Sequence, residues 1–104
     1  MAGERTDPEL IRQLDSARET GDLVQAVVRL HQPAGRAPEP EQVEEQTRRA
    51  VHRAEAATGE SPADVHVLGR LAVAYVSGPE RFLRELLRQP EVATAVANSQ
   101  QQDG

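Results

Sequence analysis

The apolar positions of the chain change period several times, and each change marks an element. Leu10, Ile11, Leu14 and Ala17 recur at helical spacing, predicting a helix over residues 8–20. Asp7-Pro8-Glu9 opens it with a capping residue, a proline suited to the first helical position and a carboxylate at the positive end of the dipole. Gly21 is a fitting stop. Residues 23–31, LVQAVVRLH, alternate instead, with Val24, Ala26, Val28 and Leu30 on one side and Gln25, Val27, Arg29 and His31 on the other. That is the period of a strand. The Pro- and Gly-rich stretch 32–40 reads as a loop. Helical spacing returns over 41–58, where Val43, Thr47, Ala50, Val51, Ala54 and Ala57 form a stripe of mostly small residues suited to close packing on a sheet. Glu44, Glu45, Arg48, Arg49 and Arg53 occupy its remaining surface, the pattern of a solvated face with local ion pairs.

Two further strand-like runs, 64–68 and 71–77, lie on either side of Gly69-Arg70. Glycine at the first of two turn positions predicts a type II′ hairpin. Ser77-Gly78-Pro79-Glu80 has the spacing of a capping box and predicts a third helix with Phe82, Leu83, Leu86 and Leu87 buried, ended by Pro90. Val92 to Asn98 is a last strand, and Ser99 to Gly104 is a polar tail. After the first helix the order is β-α-β-β-α-β. This is the split βαβ, ferredoxin-like α+β fold: a four-stranded antiparallel sheet with two helices on one face, here with an N-terminal helix added. The first and last strands are expected to flank the hairpin. The predicted division is an N-terminal helical extension over 1–22, a ferredoxin-like domain over 23–98 and the tail over 99–104.

Pairing across a two-residue turn puts Val65, Val67, Ala72, Ala74 and Val76 on one face, and His66, Leu68, Leu71, Val73 and Tyr75 on the other. Neither set is polar, yet the two helices of such a fold cover one face only. An apolar face is therefore left over, to be open, covered by the first helix or covered by a partner.

Composition narrows the picture. The chain has 104 residues, enough for one domain, and 38% are hydrophobic. Tyr75 and Phe82 are its only aromatic residues, so the core is built from Val, Leu and Ala and is thin. The formal net charge of -5 argues against a nucleic-acid partner, which needs a basic face. All 12 basic residues are Arg, which removes Schiff-base and P-loop lysines. The absence of Cys removes disulfides, thiolate zinc sites and cysteine nucleophiles. No apolar run reaches membrane-spanning length, so no membrane partner is expected. With Met1 as the start, the polar lead Met1–Arg5 has no signal-peptide core and the expected compartment is the cytoplasm.

Catalytic and metal chemistry finds little footing. His31, His52 and His66 have no His or Cys neighbour at ligand spacing, and His52 with Glu55 on one helix face is a weak signal. Ser16, Ser61, Ser77 and Ser99 sit outside any nucleophile elbow, and the adjacent carboxylates Glu44-Glu45 diverge on a helix. No cofactor, metal site or enzymatic activity is expected.

The C-terminal half carries a resemblance. A hairpin, a short helix, then Leu86-Leu87-Arg88-Gln89-Pro90-Glu91-Val92-Ala93-Thr94-Ala95-Val96 follow one another as in the inhibitor I9 family, the propeptide domains of subtilisin-like (S8) serine proteases and their stand-alone relatives. Strand VQAVVRL and the polar helix after it also fit, and the leading DPELIRQLDSARETGD looks like the pre-strand helix of some bacterial members. The resemblance covers residues 23–98 and rests on apolar spacing plus Pro-Glu-Val. It implies a protein-binding module, an inhibitor or folding chaperone of a subtilisin-like serine protease. The open sheet face would pack on the protease, and the last strand with its tail would lie along the active-site cleft by strand addition. The residues so implied are Val96, Ala97, Asn98, Ser99, Gln100, Gln101, Gln102, Asp103 and Gly104. The tail is polar where family members offer apolar residues to the protease pockets. No protease domain follows Gly104, so the expectation is either action in trans or a scaffold that has lost inhibition and serves as a docking module. The alternative is a non-inhibitory ferredoxin-like module that uses its apolar sheet face for homodimerisation or as an adaptor. A small-ligand-sensing domain is a third reading, for which no pocket residues stand out.

Overall fold

The computed structural model describes residues 6–98. In chain order it contains α1 (Pro8–Thr20), β1 (Val24–Leu30), α2 (Pro40–Thr58), β2 (Asp64–Leu68), β3 (Val73–Gly78), α3 (Glu80–Leu86) and β4 (Val92–Ala97). The four strands form one antiparallel sheet in the order β2-β3-β1-β4. The fold is the α+β, ferredoxin-like arrangement with an additional N-terminal helix. β1 and β4 do not flank the hairpin: both lie on the β3 side of it. The split βαβ unit requires this, because β1 and β2 run parallel with β3 inserted between them.

All three helices pack on the same face. Leu10 and Leu14 of α1, Val43 and Ala50 of α2 and Phe82 and Leu83 of α3 are buried in one core with Ala26 and Val28 of β1 and Ala74 and Val76 of β3. Coverage of the second face by the first helix is therefore ruled out, since α1 contacts α3, β1 and β4 on the core side. Polar cross-links brace the helices. Arg53 of α2 donates from Nη1 to both carboxylate oxygens of Glu91, at 2.8 and 2.9 Å. Arg84 of α3 donates to Asp15 of α1 at 2.8 Å and also pairs with Glu80. The hydrogen bond to Asp15, then that to Glu80, raises the Arg84 guanidinium pKa above its ordinary value.

The hairpin differs from the predicted type II′ turn. Leu68 stands opposite Val73, so four residues connect β2 to β3. Gly69–Leu71 form a single 3₁₀ turn, and Ala72 follows in the left-handed region at φ 56°. Gly69 itself is not in that region. Glycine is needed there for another reason: a Cβ would lie 2.6 Å from the Cα of Pro40, where α2 begins. The pairing is displaced from the predicted one by two residues. An even displacement leaves every side chain on its predicted face, whereas a shift of one would have inverted both. Leu71 is the exception, because it leaves the strand for the turn and is exposed.

Two other local expectations are corrected. Ser77 does not cap α3: it lies in β3, opposite Gln25 and Asp64, and α3 starts after Pro79 with no side-chain cap. Pro90 does not end α3 directly, since the helix stops at Leu86 and a turn intervenes, with Gln89 N–H on Leu86 O and Val92 N–H on Gln89 O. β4 also breaks simple alternation. Leu30 pairs with Val92 and Arg29 with Thr94, which leaves Ala93 as the extra residue of a bulge. That is why Val92 and Ala95, three apart, are both buried.

Candidate functional site

The face of the sheet opposite the helices carries three rows of side chains, fixed by the strand register. The first row is Asp64, Ser77 and Gln25, extended by Asn98, whose N–H and Nδ2 donate to the main-chain and side-chain oxygens of Gln25, both at 3.2 Å. The second is His66, Tyr75, Val27 and Val96. The third is Leu68, Val73, Arg29 and Thr94.

Tyr75, Val27 and Val96 thus form a line across three strands, with Val73 and Leu68 adjoining it. Tyr75 is 39% and Val96 46% exposed. Val27, flanked on both sides, is half-buried by its neighbours alone. Scattered exposed apolar side chains are ordinary on any protein, whereas these three are contiguous on neighbouring strands. Polar groups rim it. Asp64 stands at one corner, Arg29 on the row at the opposite end, and His66 is exposed at the β2 edge. Gln25, Asp64, His66, Tyr75, Ser77 and Asn98 line a hollow of about 270 Å³ at the polar end.

The predicted partner-binding residues divide. Val96 belongs to the apolar line. Ala97 faces the helix side, opposite Ala26, and its N–H lies 3.5 Å from an Asp7 carboxylate oxygen. Asn98 is tied to Gln25. Ser99, Gln100, Gln101, Gln102, Asp103 and Gly104 lie outside the described residues. Val27 carries the centre of the patch, and no residue pattern had joined it to Tyr75 and Val96. The alternation of β1 placed it opposite Val28, but only the pairing of β1 between β3 and β4 shows which side is the uncovered one.

Among the described residues no group of His, Cys, Asp and Glu side chains is arranged to hold a metal ion, and no helix is long and apolar enough to cross a membrane. His31 contributes its main chain to the structure: its N–H donates to Glu91 O at 3.0 Å, and its carbonyl accepts from the Gln32 and Gln46 side chains at 2.6 and 3.0 Å. His52 lies on the exposed side of α2 beside Arg48, Arg49 and Arg53. Compared with known proteins, the chain matches no family model, no curated protein and no solved structure.

Proposed function

We propose that the chain is a protein-binding module that docks through its uncovered sheet face, and that it acts as an inhibitor or folding chaperone of a subtilisin-like serine protease in the manner of the I9 family. The observation that carries this reading is the contiguous apolar line Tyr75-Val27-Val96 on a face that none of the three helices covers. A solvated sheet face normally alternates to polar residues. Tyr75 and Val96 are 39% and 46% exposed, so covering the remainder of each contributes about 1 kcal/mol, a fraction of the ~1.5–3 kcal/mol for burying a fully exposed apolar side chain. In this reading the protease surface covers the patch, and the residues beyond Asn98 add a strand in the cleft, with main-chain hydrogen bonds giving affinity. The test is titration of the purified chain against a subtilisin, followed with a chromogenic peptide substrate. Stoichiometric slowing supports the reading, and unaltered hydrolysis at excess chain overturns it.

A second reading, self-association or adaptor binding through the same face, has its own support. The chain carries -5 overall, yet this face holds one Asp and one Arg on opposite rows, so two copies would not repel there. Sedimentation of the free chain separates the two readings.

A further inference from the structure

Asp7 occupies the position of an N-cap for α1, but its side chain makes no hydrogen bond to the first turn. Its carbonyl does start the helix, accepting the Ile11 N–H at 3.1 Å. The rest of the residue is given to β4. Its N–H donates to Ala95 O at 2.9 Å, its Oδ2 accepts from the Ala97 N–H at 3.5 Å, and Thr6 forms a parallel bridge with Ala95. Residues 6 and 7 therefore run along the outer edge of β4, the edge away from β1.

Covering an edge strand protects it from stray pairing, and the main-chain contacts at Ala95 suffice for that. The carboxylate does more, because it reaches two residues further along β4, to the last residue of the strand. A cap contributes about 1 kcal/mol to a helix, and here that side chain serves the strand instead. The helix it belongs to is itself anchored, since Leu10 and Leu14 are buried in the core. We propose that Thr6 and Asp7 form a latch that couples the seat of α1 to the C-terminal end of β4 and holds that end of the strand in place. Asp7 is a positioning residue that acts through the strand it holds. Its functional consequence rests on the reading of β4 and the tail as the partner-binding strand, because a strand end held in place loses less freedom on binding.

The test combines amide hydrogen exchange on the full chain with the subtilisin titration, for Asp7→Ala and Asp7→Asn. The contact is long, at 3.5 Å, and its loss is expected to speed exchange at Ala97 by a few-fold. Asp7→Ala is expected to produce that change at Ala97 while the protection of Leu14 and Leu83 holds. Asp7→Asn, which keeps an acceptor oxygen, is expected to restore part of it. Inhibition by Asp7→Ala is expected to weaken several-fold. Unchanged exchange at Ala97, or an equal rise at Ala97, Leu14 and Leu83, overturns the latch. If the native chain does not inhibit at all, the protease reading fails while the exchange result still decides the latch.

Discussion

Tyr75 stands directly opposite Val27 in the β3–β1 pairing, on the face of the sheet that carries no helix. Val27 stands in turn opposite Val96. One residue from each of three neighbouring strands thus builds an apolar line in water. Because Val96 is 46% exposed, the folded chain gains little from it. Val96→Thr, which keeps the branched shape, is expected to leave the urea midpoint within about 0.5 kcal/mol of native stability. A larger loss would show that Val96 belongs to the core rather than to a contact surface.

Leu86 is the contrasting case. It is 2% exposed and packs under α3 in the shared core. Leu86→Ala is expected to cost about 2–5 kcal/mol, read as a lowered urea midpoint. In a core with one Phe and otherwise aliphatic side chains, that is a large part of the total stability. An unmoved midpoint would contradict the packing of α3.

Gly69→Ala tests the turn. The added Cβ meets the backbone and ring of Pro40 at 2.6 and 2.7 Å, and neither is the end of a flexible side chain. Relieving the overlap is expected to cost about 1–3 kcal/mol. The same substitution at Arg70, which is exposed at the turn, is expected to cost far less. Equal melting temperatures for Gly69→Ala and Arg70→Ala would contradict the close approach of the turn to α2.

The secondary structure was legible because each element announces itself locally, through the alternation of β1, the small-residue stripe of α2 and the apolar pairs of α3. Burial by tertiary partners was not. Asp7 and Ser77 both look like caps, and both side chains lack that role, because β4 engages one and β3 incorporates the other. Gly69 suggested a left-handed turn position, whereas its glycine answers to Pro40, which lies 29 residues earlier. The apolar surplus of the hairpin was visible in the sequence. Assigning it to one patch with Val27 and Val96 required the strand order, which no local pattern encodes.

Glu91 joins two elements that the sequence keeps far apart. Its side chain is 11% exposed and receives Arg53 at 2.8 Å, with Arg49 at 3.8 Å, although both Arg side chains are about half exposed. Glu91→Gln is expected to cost about 1 kcal/mol or less, because solvent screens the Arg side. The difference should shrink in about 1 M salt, where the screening length falls to about 3 Å. A cost that does not change with salt would point to lost packing rather than charge.

Deleting Ser99 to Gly104 is expected to leave the urea midpoint in place. These residues are polar and follow the last sheet pairing, Ala26 with Ala97. Inhibition of a subtilisin should weaken sharply with the deletion, since main-chain pairing in the cleft supplies much of the affinity. Undiminished inhibition by the shortened chain would remove the tail from the mechanism and leave the sheet face alone as the contact.

The most direct measurement concerns the face itself. Tyr75→Glu places a charge at the β3 end of the apolar line without touching the core, and it is compared with the native chain in the subtilisin titration. The prediction is that the native chain inhibits, and that Tyr75→Glu keeps its urea midpoint but loses affinity by about tenfold or more, the effect of about 1.4 kcal/mol. Equal inhibition by the two proteins, or none by the native chain, would contradict the account.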